Sequence, residues 1–151
     1  NRANFSSGDI SGEILDAASR KMYDHYSKAK DGLDAAASRA CRYAGAFLNE
    51  KIPVFSPIAH SHSIAAHARI HPKDHNIWLP ADEPFMFLAA ALVVCQDPGW
   101  EESFGIQHEI EAFSKAKKPI HYWRPPSVSE FLKRELERNI ACHGQRTSIK
   151  R

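Results

Sequence analysis

The stretch Leu92-Val93-Val94-Cys95-Gln96-Asp97-Pro98-Gly99 limits the folds open to this chain more than any other. An unbroken apolar run ending at Pro98-Gly99 predicts a short buried strand closed by a tight turn. Helical spacing resumes at Ile106, Ile110 and Phe113, so the stretch reads as strand, turn and helix. At the strand-to-helix junction stand Ser103, Gly105 and, six residues after the serine, Glu109. A helix N-terminus with free N–H groups, a small hydroxyl and a glycine is a ready anion site. Glu109 falls under two turns from Ser103, near enough to act on a sugar whose phosphate is anchored there.

The remaining segments frame this junction. Residues 1–12 are polar and predict a loop. Ile14, Leu15, Ala18, Met22 and Tyr26 predict a helix over 12–30 that Asp31-Gly32 interrupts. A second helix is expected over 33–49, with Ala37, Cys41, Ala44, Phe47 and Leu48 facing inward. Ile52 to Ser56 reads as a strand stopped by Pro57. His60 and His62 then fall in a loop leading into a short helix, and Ile77 to Ala90 reads as a helix interrupted near Pro80 and Pro84. Strands are expected over 91–96 and 119–123, with a helix over 101–117 between them. Ser127-Val128-Ser129-Glu130 resembles a capping box for a last helix through Ile140 that packs Val128, Phe131, Leu132, Leu136 and Ile140. Residues 141–151 read as a frayed tail. Alternation of strands and helices predicts a single α/β domain over 1–151 with a mostly parallel sheet flanked by helices. Such sheets bind ligands at the carboxyl ends of their strands, which groups Ser56 to His62, Gln96 to Glu109 and the residues after Trp123.

With 151 residues of which 43% are hydrophobic, the chain can bury a real core. Twenty Lys+Arg against 18 Asp+Glu leave a net charge of +2, which gives no electrostatic case for a nucleic-acid polymer or a membrane surface. The basic residues from Lys133 to Arg151 read as a solvated tail. Cys41, Cys95 and Cys142 are odd in number, widely spaced and without a CxxC, so a reduced, cytoplasmic protein is expected. No apolar run reaches membrane length.

Ser103-x-Gly105-x-x-x-Glu109, after a hydrophobic strand and before Ala112…Lys118-Pro119-Ile120, resembles the nucleoside 2-deoxyribosyltransferase-like superfamily. That superfamily includes the deoxynucleoside 5′-monophosphate N-glycosidases. Phe55-Ser56-Pro57-Ile58-Ala59-His60-Ser61-His62, Trp78-Leu79-x-x-Asp82 and Pro98-Gly99-Trp100-x-x-Ser103 resemble a bacterial and phage branch of it. The resemblance implies a Rossmann-like fold and Glu109 as nucleophile on the anomeric carbon. It also implies 5′-phosphate binding by Ser103 and Gly105, and Asp82 assisting the leaving base. The resulting glycosyl-glutamate would pass its sugar to water or to another base, with no metal or redox cofactor. The resemblance further implies a nucleotide or nucleoside as ligand and a homo-oligomer. Three departures stand against it, the first being the helix over 12–30, which reads as an insertion. The superfamily usually opens with a strand, whereas Asn1 begins a polar loop, so the first strand reads as missing or rebuilt. Ala90 stands where related chains often carry an aspartate.

Each site residue has a plainer reading. Glu109 is also a glutamate favoured by a helix dipole, Ser103 an N-cap, and Asp82 a cap for the helix broken at Pro80 and Pro84. His60-x-His62 is a metal-ligand spacing, but neither HExxH nor paired cysteines accompany it; the resemblance, whose branch carries this pair in its substrate loop, implies that both are donors to phosphate or base beside Ser56. Trp100, in the turn next to the anion site, is expected to wall a base pocket, and Trp78 to be core. The favoured expectation is therefore an N-glycosidase or N-glycosyltransferase. A nucleotide-binding module that has lost catalysis is the alternative, and a histidine-liganded metal hydrolase the weaker one.

Overall fold

A computed structural model describes residues 17–148, with side chains from 32 to 145. The polar loop expected at 1–12, the start of the first expected helix and the last three residues lie outside the described residues. The chain forms two compact units, residues 1–34 and 35–151, and the second carries every element discussed below from Ala35 onward.

The elements in order are α1 (Ala17–Asn49), α2 (Pro57–Ala68), α3 (His75–Leu88), β1 (Leu92–Cys95), α4 (Phe104–Lys115), β2 (Ile120–Trp123) and α5 (Glu130–Ser148). The class is α/β: β1 and β2 pair in parallel with Leu92 opposite Ile120 and Cys95 opposite Trp123, and α4 makes the crossover that parallel pairing requires. Among the described residues the sheet has these two strands. The strand expected at Ile52 to Ser56 does not form. Pro53 and Pro57 leave only three consecutive residues able to donate to a ladder, and the segment is an extended connection that contributes Ile52 to the core.

Two expected interruptions are also absent, and the last helix, expected through Ile140, runs on to Ser148. Asp31-Gly32 lies inside α1. A lone glycine costs a helix only about 1 kcal/mol relative to alanine, too little to stop it. Pro80 and Pro84 sit within a continuous α3. Spaced four apart and both exposed, they remove N–H donors on one face, where water can reach the carbonyls left over.

The helices that do end carry no glycine signal. Lys51, Arg69 and Lys117 take left-handed φ values of 61°, 56° and 52°. Beyond each of them the next N–H returns to a carbonyl five residues back: Ile52 to Phe47, Ile70 to Ala65 and Lys118 to Phe113, at 3.0–3.1 Å. The Lys118 ammonium then donates to the carbonyls of Met86 (3.0 Å), Phe87 and Ala89 (2.9 Å), satisfying the exposed acceptors at the end of α3. Burial lowers its pKa from the ordinary lysine value.

The core gathers where α1, β2 and α5 meet: Phe47, Ile52, Trp123, Leu132 and Leu136 are buried, with Tyr43, Ala91, Val93 and Cys95 against them. Trp123 meets Phe47 edge-on at 4.8 Å and Tyr43 at 5.5 Å, and its indole N–H donates to the Ser127 carbonyl at 2.9 Å. Ser127 is thus a support for Trp123; the N-terminal bond of α5 comes from Ser129, whose hydroxyl accepts from the Leu132 N–H at 3.2 Å. Ala37 is buried as expected, but Cys41 and Leu48 are exposed, as are Phe131 and Ile140 on α5. Among the described residues no helix is long and apolar enough to cross a membrane.

Candidate functional site

The site is built where β1 ends. Asp97-Pro98-Gly99-Trp100 closes a turn with the Trp100 N–H on the Asp97 carbonyl at 3.0 Å. Proline at the second position and Gly99 at φ 86° are what a type II turn asks for. The Asp97 carboxylate is held from α1: Arg39 Nε donates to Oδ2 at 3.0 Å and the Tyr43 hydroxyl to Oδ1 at 2.7 Å. Arg39 and Tyr43 are four residues apart and so share a helix face, gripping the turn from one side. Donation to Asp97 is the main reason the Tyr43 hydroxyl titrates above its ordinary value.

That grip fixes the entry to α4. Ser103 occupies the N-cap position with extended backbone, and its carbonyl accepts from the Gln107 N–H at 3.0 Å, but its hydroxyl makes no capping bond. A Cβ placed on Gly105 would meet nothing within 4 Å, so packing within the protein does not demand glycine there. What a Cβ would fill is open space beside the first N–H groups of the helix. Ser56 stands in the same relation to α2: it is the N-cap, its hydroxyl caps nothing, and its carbonyl accepts from the His60 N–H at 3.0 Å.

Glu109, on the second turn of α4, is brought within electrostatic reach of Asp82 in the middle of α3. Burial, and then the Asp82 charge, push the Glu109 carboxyl from 4.5 up to about 7. Burial also raises Asp82 above its ordinary value, opposed by the nearby His60. The Asp82 charge thus adds to burial in keeping the Glu109 carboxyl protonated toward neutral pH. Cys95, at the end of β1, belongs to the same surroundings: burial, then the charges of Asp97 and Glu109, push its thiol up to about 11. It stays a neutral thiol and is no nucleophile at neutral pH.

Asp82 is not a cap; Asp74 is the N-cap of α3 and accepts from the Asn76 N–H at 3.1 Å. His60 and His62 lie on α2, not on a loop, because Pro57 begins the helix there. Two residues apart on a helix they are turned about 200° from each other, and His60 is within electrostatic reach of Asp82. Its ring sits 5.4 Å from Phe55 and 6.1 Å from Phe85, which stack on each other at 4.1 Å. Trp100 packs edge-on against Tyr122 at 5.6 Å, and Trp78 is half-buried with its indole N–H on the His71 carbonyl at 3.0 Å. The structure thus gathers Glu109, Asp82 and His60, and places Ser103 and Gly105 at the head of the helix that carries Glu109. Arg39, Tyr43, Phe55 and Phe85 were not legible as neighbours of this site; the four-residue spacing of Arg39 and Tyr43 was the one hint.

Among the described residues no group of three or more His, Cys, Asp or Glu side chains is arranged to hold a metal ion. Residues 17–125 match the model of a family described as a domain of unknown function, DUF1937. No curated protein and no solved structure matches the chain.

Proposed function

The chain belongs to the DUF1937 family, and from Glu109 and Asp82, two carboxyls within electrostatic reach of each other near an uncapped helix N-terminus, we propose an N-glycosidase or N-glycosyltransferase acting on nucleotides or nucleosides. The observation that carries this reading is the approach of two carboxyls from separate helices, Glu109 on α4 and Asp82 on α3, close to the head of α4. Paired carboxyls whose environments set them apart are the working parts of a double displacement at an anomeric carbon. The resemblance of Ser103-x-Gly105-x-x-x-Glu109 to the nucleoside 2-deoxyribosyltransferase-like superfamily points the same way, as does a βαβ unit compatible with a Rossmann-like sheet.

The chemistry follows from the placement. The Ser103 hydroxyl and the first N–H groups of α4 take the 5′-phosphate. An ionised Glu109 oxygen attacks C1′ as the C1′–N bond breaks, and Asp82 gives its proton to the departing base. The glycosyl ester on Glu109 is then opened at C1′ by water or by an incoming base, whose proton passes to Asp82. The productive state therefore has Glu109 ionised and the proton on Asp82, whose carboxyl burial raises above its ordinary value.

The test is a panel of nucleosides and nucleoside 5′-monophosphates with free base followed by chromatography. Base release is expected, and in wild type it rises as pH rises through about 7, where Glu109 loses the proton that masks the nucleophile. In Asp82→Asn the Glu109 carboxyl loses the repulsion that helps to raise it, so the slower residual activity rises at lower pH. Nucleotide binding without base release from any member of the panel would instead favour the non-catalytic binding module. Gly105→Ala is expected to stabilise the fold by at most about 1 kcal/mol through helix propensity. The same change should weaken binding of monophosphates much more than of nucleosides, read by thermal unfolding and titration.

A further inference from the structure

The proposed reaction needs a place for the nucleobase, and the residues arranged beyond Asp82 supply one. Phe85 lies one turn after Asp82 on α3, so the two share a face. Its ring is stacked on Phe55 at 4.1 Å with only 9° between planes, and 43% of Phe85 is exposed. One face of Phe85 is thus braced by a second ring while much of the residue remains open. His60, near both rings, is also within electrostatic reach of Asp82. Neighbour by neighbour, α4 joins its N-terminus at Ser103 to Glu109, Glu109 is in reach of Asp82, Asp82 of His60, and His60 lies near the phenylalanine pair. A nucleotide has the same order, from phosphate through anomeric carbon and glycosidic nitrogen to base. Trp100 is turned to other work against Tyr122.

We infer that Phe85, braced by Phe55 and flanked by His60, is the platform on which the leaving nucleobase stacks. The inference rests on the glycosidase reading and deepens it by naming the aromatic base as what the α3 side of the site recognises. A rigid ring costs little ordering on binding, and stacking tolerates different bases because each has a π face. The larger purine ring gains more than a pyrimidine.

The test is calorimetric titration of the Glu109→Gln chain, which holds substrate without turnover, with 2′-deoxyadenosine 5′-monophosphate, 2′-deoxycytidine 5′-monophosphate and 2-deoxyribose 5-phosphate. Adding Phe85→Leu is expected to weaken the two nucleotides about 5- to 150-fold, the adenine compound more, as loss of a base–aromatic stack does. The base-free sugar phosphate should change less than about twofold, since the phosphate site is left intact. Phe85→Tyr should restore nucleotide affinity, which a role in packing alone would not tie to the presence of a base. Equal weakening of all three ligands, or no weakening of any, overturns the platform while leaving the glycosidase reading standing. If neither nucleotide nor sugar phosphate binds the parent chain, the glycosidase reading itself falls and the platform with it.

Discussion

Glu109→Gln is expected to lower base release by on the order of 10³-fold or more, as removal of a covalent nucleophile does, and at the same time to make the protein harder to unfold at pH 8. The second effect follows from the same burial that readies the residue. A carboxyl that titrates at 4.5 when unfolded and at about 7 when folded holds its proton more tightly in the native state. Below pH 4.5 it is protonated in both states and costs nothing. Between pH 4.5 and about 7 the unfolded chain has released a proton that the folded protein still holds, so stability falls across that window and the loss is complete above it. At 1.36 kcal/mol per unit the wild type loses about 3 kcal/mol that glutamine does not. Thermal unfolding should show the mutant melting about 5–10 °C higher than wild type at pH 8, with the gap closing by pH 4. A constant gap across that range would mean that Glu109 is not held in the unfavourable setting on which its chemistry depends.

Trp123→Ala is the substitution expected to damage the fold most. The indole is 4% exposed, edge-on to Phe47 and Tyr43, and hydrogen-bonded to the Ser127 carbonyl. Removing it leaves a cavity at the junction of α1, β2 and α5 and an acceptor without its donor, a loss of about 3–5 kcal/mol. Denaturant unfolding monitored by circular dichroism measures it. Trp123→Phe keeps most of the packing and loses the N–H, so it should cost only about 1–2 kcal/mol. Because Tyr43 both packs on Trp123 and donates to Asp97, the alanine variant should also loosen the turn that leads into α4.

The sequence carried the strand–turn–helix–strand centre plainly, because an apolar run, a Pro-Gly turn and helical spacing agree over 92–123 and nothing opposes them. Elsewhere the punctuation misled. Gly32, Pro80 and Pro84 look like breaks but lie inside helices. Conversely α1, α2 and α4 are followed by Lys51, Arg69 and Lys117 in the left-handed region, where the steric rule leads one to look for glycine. The strand expected at Ile52 to Ser56 had the right composition, but Pro53 and Pro57 deny it a ladder. In the site, Ser103, Gly105 and Glu109 could be read together because they lie on one helix. Asp82 entered through family resemblance, and its approach to Glu109 is a tertiary fact. Arg39 and Tyr43 reach Asp97 across 58 and 54 residues, a pairing that no local pattern announces. His60 and His62 were taken as one unit, and helical geometry separates them.

The most direct measurement is the mass of the protein quenched during a single turnover with a nucleoside 5′-monophosphate that the panel shows to be a substrate. The account predicts a transient adduct of one sugar phosphate on wild type, located on the α4 peptide that carries Glu109, and none on Glu109→Gln. Base release proceeding at the same rate in both proteins, with no adduct on either, would contradict it.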